Sequence, residues 1–317
     1  MRAIANCIIV SIVSGVMAPA ALAQGVAQPV ADEVDVTTPT GQQFHFVISG
    51  GAEYQFETSL DTGDMSVARS GGGVGVQTKF SDDLRAAVNI NYGVDLYRFD
   101  GHALGIVFPG EAWDTIHTIT ATAIFSLDLS NDWTVFGGPQ IQTARETGAD
   151  WGDSISGGGA IGLTYQWSRD LTIGGGVSVV TQLEDDPRIL PIIVIDWAIT
   201  NDFRLRNQTT NSSISRTGLE LVYEAGRGLE FAIGGAFQFS RFRLDDVAPV
   251  PGGVGEDEGA PVWFRATFKP TQRISIDGVA GFNFDGELHL ISSNGTTIAE
   301  SDYDPAFFAG VFASIEF

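Results

Sequence analysis

The chain of 317 residues has one cysteine, four histidines, and only 17 lysines and arginines against 39 acidic residues. Cys7 lies in the first stretch of the chain, where a leader is expected, so the remainder can form no disulfide and no thiolate site. None of the four histidines is followed by serine two residues on, and no G-x-S-x-G nucleophile elbow occurs. No enzymatic activity and no cofactor are therefore expected. A formal charge of −22 leaves no basic stripe to neutralise phosphates, which argues against nucleic acid as a partner. Long apolar runs are also missing. After residue 23 the longest candidate, Pro191 to Ile199, is short and contains Asp196, so no spanning helix is expected.

Yet 44% of the residues are hydrophobic, the mean hydropathy is +0.11, and 39 residues are glycine. Residues 1–23 read as a secretory signal peptide. Arg2 supplies the positive start, Cys7 to Met17 the apolar stretch, and Ala21-Leu22-Ala23 the small-residue cleavage site. Cys7 precedes the apolar stretch, where a lipid-bearing cysteine would follow it. A secreted chain this apolar, with no spanning helix, points to a large β-sandwich or a membrane barrel.

The punctuation of the chain favours the barrel. An apolar residue, three polar residues and another apolar residue recur as Phe80-Ser81-Asp82-Asp83-Leu84 and Leu129-Ser130-Asn131-Asp132-Trp133. The same pattern returns as Trp167-Ser168-Arg169-Asp170-Leu171 and Ile199-Thr200-Asn201-Asp202-Phe203, with weaker copies at 225–229 and 270–274. Such residues suit tight turns because they bond their own backbone or tolerate positive φ. Successive turns lie 26 to 49 residues apart, enough for two strands and one longer loop. Short turns at one end and variable loops at the other describe a transmembrane barrel.

Between the turns the sequence alternates. From Leu84, even positions Ala86, Val88, Ile90, Tyr92, Val94 and Leu96 are apolar, while Arg85, Asn89, Asn91 and Asp95 are polar. The final stretch behaves alike, with Phe307, Ala309, Val311, Ala313, Ile315 and Phe317 on one face. Alternation of this kind separates lipid from a lumen. Phe80, Trp133, Tyr165, Trp167, Trp197, Phe203, Phe268 and Phe317 cluster beside the short turns, where an interfacial aromatic girdle would sit. The expected architecture is all-β, an antiparallel up-and-down barrel of about 14 strands, with 12 as the alternative. It would occupy 44–317, after a short periplasmic or disordered lead over 24–43. The first hairpin is expected to turn at Asp61-Thr62-Gly63-Asp64.

The polar face supplies the candidate lumen charges. The basic set is Lys79, Arg85, Arg204, Arg206, Arg265 and Lys269; the acidic set is Asp95, Glu220, Glu224, Glu230, Asp277 and Asp285. They read either as a charged constriction that selects solutes or as a paired network filling a narrow lumen. Arg204 and Arg206 are expected to face Glu220 and Glu224. Small residues at Gly158, Ala160, Gly162, Gly174, Gly176, Gly234 and Ala236 would leave room for water. Acidic clusters at 184–186, 245–246, 256–258 and 300–304 are expected on outer loops, with no ordered ligand spacing and so no metal site. Gly137-Gly138-Pro139 interrupts a strand because proline has no N–H, giving a bulge or, alternatively, a lateral opening.

Two resemblances add to this reading. The terminal Phe317 on an alternating strand resembles the signal by which bacterial barrel-assembly machinery recognises its clients. The segment from Leu183 through Asp185-Asp186-Pro187-Arg188 to Pro191, then Ile195-Asp196-Trp197 and the Thr200-Asn201-Asp202 turn, resembles an uncharacterised family of outer-membrane barrels. The resemblance implies residence in the bacterial outer membrane, with lipid, lipopolysaccharide and the assembly machinery as partners. It assigns no functional residues. The leading expectation is porin-like passage of small solutes. A closed structural or surface-interaction barrel is the alternative, and a laterally opening transporter of hydrophobic compounds a third.

Overall fold

A computed structural model describes residues 44–317 apart from 102–103, 105–110, 208–216 and 248. The leader and lead expected over 1–43 lie outside the described residues. The chain is almost entirely strand. The first five segments are β1 (Phe44–Ser59), β2 (Asp64–Lys79), β3 (Leu84–Asp100), β4 (Thr115–Asp128) and β5 (Trp133–Glu146). A 3-10 turn at Gly152–Ser154 precedes β6 (Ile155–Ser168), β7 (Leu171–Gln182), β8 (Asp185–Ala198) and β9 (Phe203–Asn207). Then come β10 (Thr217–Gly226), β11 (Leu229–Arg243), β12 (Val254–Thr271), β13 (Ile274–Ile291), β14 (Thr297–Tyr303) and β15 (Ala306–Glu316).

From β1 to β14 each strand pairs antiparallel with its sequence neighbours, and β1 pairs with β15 to close the cylinder, from Val47↔Glu316 to Gln55↔Phe308. Both β14 and β15 line the same edge of β13, with Asp304-Pro305 between them. They form one interrupted stave, and the barrel has fourteen. Hairpin turns at residues 80–83, 129–132 and 199–202 lie at one end, called here the inner end, and are closed by backbone bonds such as Leu129 N–H to Trp133 O. At the outer end, Leu60 N–H bonds Gly63 O, so the first hairpin turns over 60–63, one residue earlier than the expected 61–64.

Side-chain alternation decides what the wall faces. On β3, Val88, Ile90, Tyr92 and Leu96 are exposed outward, whereas Ala87 and Tyr97 are buried. The same outward exposure holds for Phe46 and Ile48, Ile161, Ile173, Ile233 and Phe264, giving a continuous apolar exterior. Such a belt on a closed barrel suits hydrocarbon, since every backbone group of the paired wall is satisfied within it. The expected girdle is present: Phe80, Trp133, Trp167, Trp197, Phe203, Phe268 and Phe317 are all exposed near the inner end.

Most strands run 14 to 18 residues, beyond the ~9–11 needed to cross a bilayer. The excess lies at the outer end, where the cylinder is filled. Sixteen buried residues, among them Met65, Val67, Tyr97, Trp113, Phe242, Leu288, Leu290 and Tyr303, form one hydrophobic core inside it. Trp113 meets Tyr97 and Phe242 edge-on, with ring centres 5.7 and 5.3 Å apart.

Candidate functional site

The lumen is built from inward side chains whose register follows from the pairing above. Its β9–β13 side is a dense polar network. Arg265 donates two bonds to the Glu220 carboxylate, at 3.0 and 2.5 Å, and a third to Asp277 at 3.3 Å. Trp263 Nε1 donates to Glu220 at 2.9 Å, and Thr267 to Asp277 at 2.5 Å. Glu220 is fully buried. Nearer the inner end, Lys269 pairs with Glu230, Arg206 approaches Glu230 at 3.5 Å, and Arg204 pairs with Asp196 at 2.5 Å. Arg85 pairs with Asp128 at 2.7 Å.

Several expected partners differ. Arg206 does sit opposite Glu220 in register, yet its ion pair is with Glu230 two strands away, at 3.5 Å, while Glu220 is taken by Arg265. Arg204 lies opposite Val222, and its partner is Asp196 on the preceding strand. Glu224 is exposed and lines a recess of about 360 Å³ at the inner end, with Asp170, Asp202 and Arg204. Lys79 is exposed and bridges only to Asp82 in the adjoining turn. Asp95 lies opposite Arg69 in register. Asp285 departs furthest: it has φ +47° at a β-bulge of β13, is exposed, and has no ion pair among the described residues. The extra residue there inverts the alternation, so that Leu288 and Leu290 turn inward beyond it.

A second strut was not anticipated. Arg69 on β2 donates to Asp257 on β12 at 2.9 Å and to Gln55 at 3.1 Å. The hydroxyls of Tyr97 and Tyr303 donate to the same carboxylate, at 2.7 and 3.1 Å. Asp257 is fully buried. The acidic run Glu256-Asp257-Glu258, expected on a loop, is thus part of a strand and turned into the interior. Arg69 does stand on the polar face of β2, but the following Gly71-Gly72-Gly73 masks the alternation that would single it out.

At two of the small inward positions the expected room is taken. A Cβ at Gly162 would collide with the Phe136 ring, and one at Gly234 with the Trp263 ring. These glycines are small because aromatic rings cover them. Inward Phe308 and Phe312 on β15 join Trp263 and Val279 in a further apolar cluster.

The outer half of the β11–β12 hairpin leaves the wall. On lower β11, odd residues such as Ile233 and Phe237 face outward. Higher up, Phe239, Arg241 and Arg243 have the same parity but are buried. Arg241 Nε donates to Leu183 O at 2.9 Å, Arg243 pairs with Glu184 at 2.8 Å, and Arg243 touches Arg145 of β5 in parallel register. The hairpin therefore crosses the lumen. Its even face carries Phe242 into the hydrophobic core, and its odd face looks at the inner surface of β5–β8.

Opposite this hairpin lies an irregular seam. β8 pairs with β9 only through Asp196, Trp197 and Ala198. At the next step Asn207 replaces backbone with side chain: Oδ1 accepts from Ile195 N–H at 2.8 Å, and Nδ2 donates to Ile193 O at 3.0 Å. Ala198 N–H points the other way, to Asp170 O. Odd residues of β8 thus present their backbone to the seam, and Pro191 is one of them, with no N–H to offer. Among the described residues no strand pairs with β8 above Asp196. At Pro139, by contrast, the β4–β5 ladder is interrupted for two residues and resumes in unchanged register. There is neither a bulge nor an opening there, and a Cβ at Gly138 would collide with Ala123 O.

At the outer rim, Glu287, His289 and Glu300 bring one ligand atom each within 4.8 Å of one another, a set that could hold a divalent ion, though partly exposed.

No family model matches the chain, and no curated protein sequence matches it. Solved structures with similar chain paths are bacterial membrane barrels. An outer membrane channel from Pseudomonas putida F1 is similar at 10% identity and TM-score 0.44, over 90% of this chain and 100% of that one. The translocator domain of the autotransporter NalP from Neisseria meningitidis gives 12% and 0.41, over 94% and 93%. The Pseudomonas putida toluene transporter TodX gives 12% and 0.40, over 88% and 90%.

Proposed function

We propose that the protein resides in the bacterial outer membrane and passes small apolar or amphipathic compounds sideways through its wall, at the seam beside β8. The carrying observation is the combination of a filled outer end with a strand edge at which Pro191 offers no N–H, the Asn207 side chain stands in for a backbone partner, and no described residue pairs with β8 above Asp196. An axial route would have to displace sixteen buried residues and the struts beneath them. A lateral one meets lipid directly, through outward Ile189 and Ile193.

The test is transport in proteoliposomes. The protein should accelerate uptake of a small aromatic hydrocarbon while leaving planar bilayers nearly silent and liposomes unswollen by sugars. Large, stable conductance steps with sugar permeation would overturn the lateral reading. They would support the porin-like one, which the glycine-rich inner surface of β6 and β7 favours. Asn207→Ala should sharpen the result. Loss of its two backbone bonds should cost about 1–3 kcal/mol and speed uptake through a looser seam; unchanged uptake would argue against passage there.

The assembly machinery, recognising Phe317, and surrounding lipid and lipopolysaccharide are the partners this reading needs. It needs no cofactor and no catalysis.

A further inference from the structure

Backbone register brings Glu287, His289 and Glu300 together at the outer rim. Residues two apart on a strand share a face, and so do directly opposed residues of an antiparallel pair. Glu287 and His289 are two apart on β13, and His289 lies directly opposite Glu300 on β14. The bulge at Asp285 decides which face they occupy: Leu288 and Leu290 turn into the core, so Glu287 and His289 point away from it. Expected on a loop, Glu300 instead takes its spacing from the strand beside it.

The three are also left to one another. On neighbouring β12, Glu256 pairs with Arg241 at 2.6 Å, Asp257 with Arg69 at 2.9 Å and Glu258 with Arg188 at 3.9 Å. Among the described residues Glu287 has only the His289 ring as an ionic partner, and Glu300 has no ion pair.

The distances suit a small metal. His289 Nε2 lies 3.3 Å from Glu287 Oε1. Two ligands on a tetrahedral metal, with arms of about 2.0–2.1 Å, stand about 3.3 Å apart, so one edge of the polyhedron is already formed. Glu300 brings an oxygen within 4.8 Å of both. Closing the remaining gap, at most about 1.5 Å against that edge length, takes only a side-chain rotation of an exposed glutamate. The imidazole nitrogen selects against calcium and magnesium, which take oxygen throughout, and favours zinc and its neighbours.

We infer that Glu287, His289 and Glu300 bind zinc or a closely similar divalent metal, with the open coordination position left to water, and that the metal fastens β14 to β13. The fastening matters because β14 has seven residues and is separated from β15 by Asp304-Pro305. The site is independent of the transport route.

The experiment is calorimetric titration of the folded, tag-free protein in detergent with zinc chloride, with calcium chloride as the comparison. Zinc should bind as a single site, and calcium at least about tenfold more weakly. His289→Gln and Glu300→Gln should each weaken zinc by about tenfold or more, from loss of a direct ligand. His117→Gln, at an exposed histidine of β4, should leave zinc binding unchanged and detects adventitious binding. Zinc should also slow proteinase K cleavage in the turn between Ile291 and Thr297 severalfold in the wild type, because a ligand of the folded form opposes local opening. The same protection should be absent from His289→Gln. Equal zinc binding by wild type and His289→Gln, calcium binding as tight as zinc, or no binding overturns the inference. Zinc binding that leaves cleavage unslowed overturns it as well.

Discussion

Two sides of one lumen are paired to different degrees. Toward β9–β13, the buried charges are closed into networks: Glu220 takes bonds from Arg265 and Trp263, while Asp257 takes them from Arg69, Tyr97 and Tyr303. Toward β5–β8, Gln140, Ser156 and Gln182 face a cavity, and their side chains bond to no described residue around it. Both surfaces are polar, and both are inward. What separates them is the extent of pairing: the buried carboxylates of the first side each take several bonds, although Arg206 Nε and Asn283 Oδ1 stay without partners there, whereas the second side has no carboxylate to gather its polar groups.

The largest expected effect breaks the completed side. Asp257→Ala leaves Arg69 charged, buried and without its carboxylate, and should destabilise the barrel by about 3–5 kcal/mol. The measurement is the denaturant midpoint in detergent; a loss below about 1 kcal/mol would mean that the strut does not hold the outer half. Next comes a test of whether the network specifies rather than stabilises. Glu220→Leu alone should cost about 3 kcal/mol, and adding Arg265→Met should return most of it, as apolar replacements for buried ion pairs often do. A double variant as unstable as the single one would assign Glu220 a further role through Trp263. The smallest effect is at Lys79, whose exposed bridge to Asp82 should contribute about 0–1 kcal/mol. Lys79→Gln should leave the midpoint and transport unchanged; a large shift would mean that the inner rim belongs to the network.

Much of the cylinder was legible in the sequence because its signals are local. Polar turns such as Ser130-Asn131-Asp132, the alternation from Leu84 to Leu96, and the aromatic positions beside the turns each depend on neighbours in the chain, and all reappear as strand ends, outward faces and girdle. The lumen was legible only in part, since partners across it are set by barrel closure. Arg265 and Asp277 were both marked as candidates, but nothing near either in sequence announces that they pair. The crossing hairpin was hidden altogether. Phe239, Arg241 and Arg243 continue the outward parity of Ile233 and Phe237, and only the bend of the strand reverses what that parity means. Likewise Gly162 and Gly234 read as open space until Phe136 and Trp263 are seen lying over them. Pro191 carried a usable sign. A proline within a strand marks an edge, and its parity against Ala198 identifies which edge.

The interruption at Asp304-Pro305 has a practical meaning. The terminal stave is sealed to the first mainly by β15, along Phe46 to Gln55, while β14 hangs from β13 and meets the opening hairpin through a few bonds, Asp304 N–H to Ser59 O, Asp61 N–H to Ser301 Oγ and the bridge at Leu60. Cylinder and rim are thus joined in series, like a hoop and the tab riveted above it. A peptide epitope spliced between Ser292 and Thr296 would be carried by the tab and leave the hoop intact, offering a handle for displaying cargo on the cell surface.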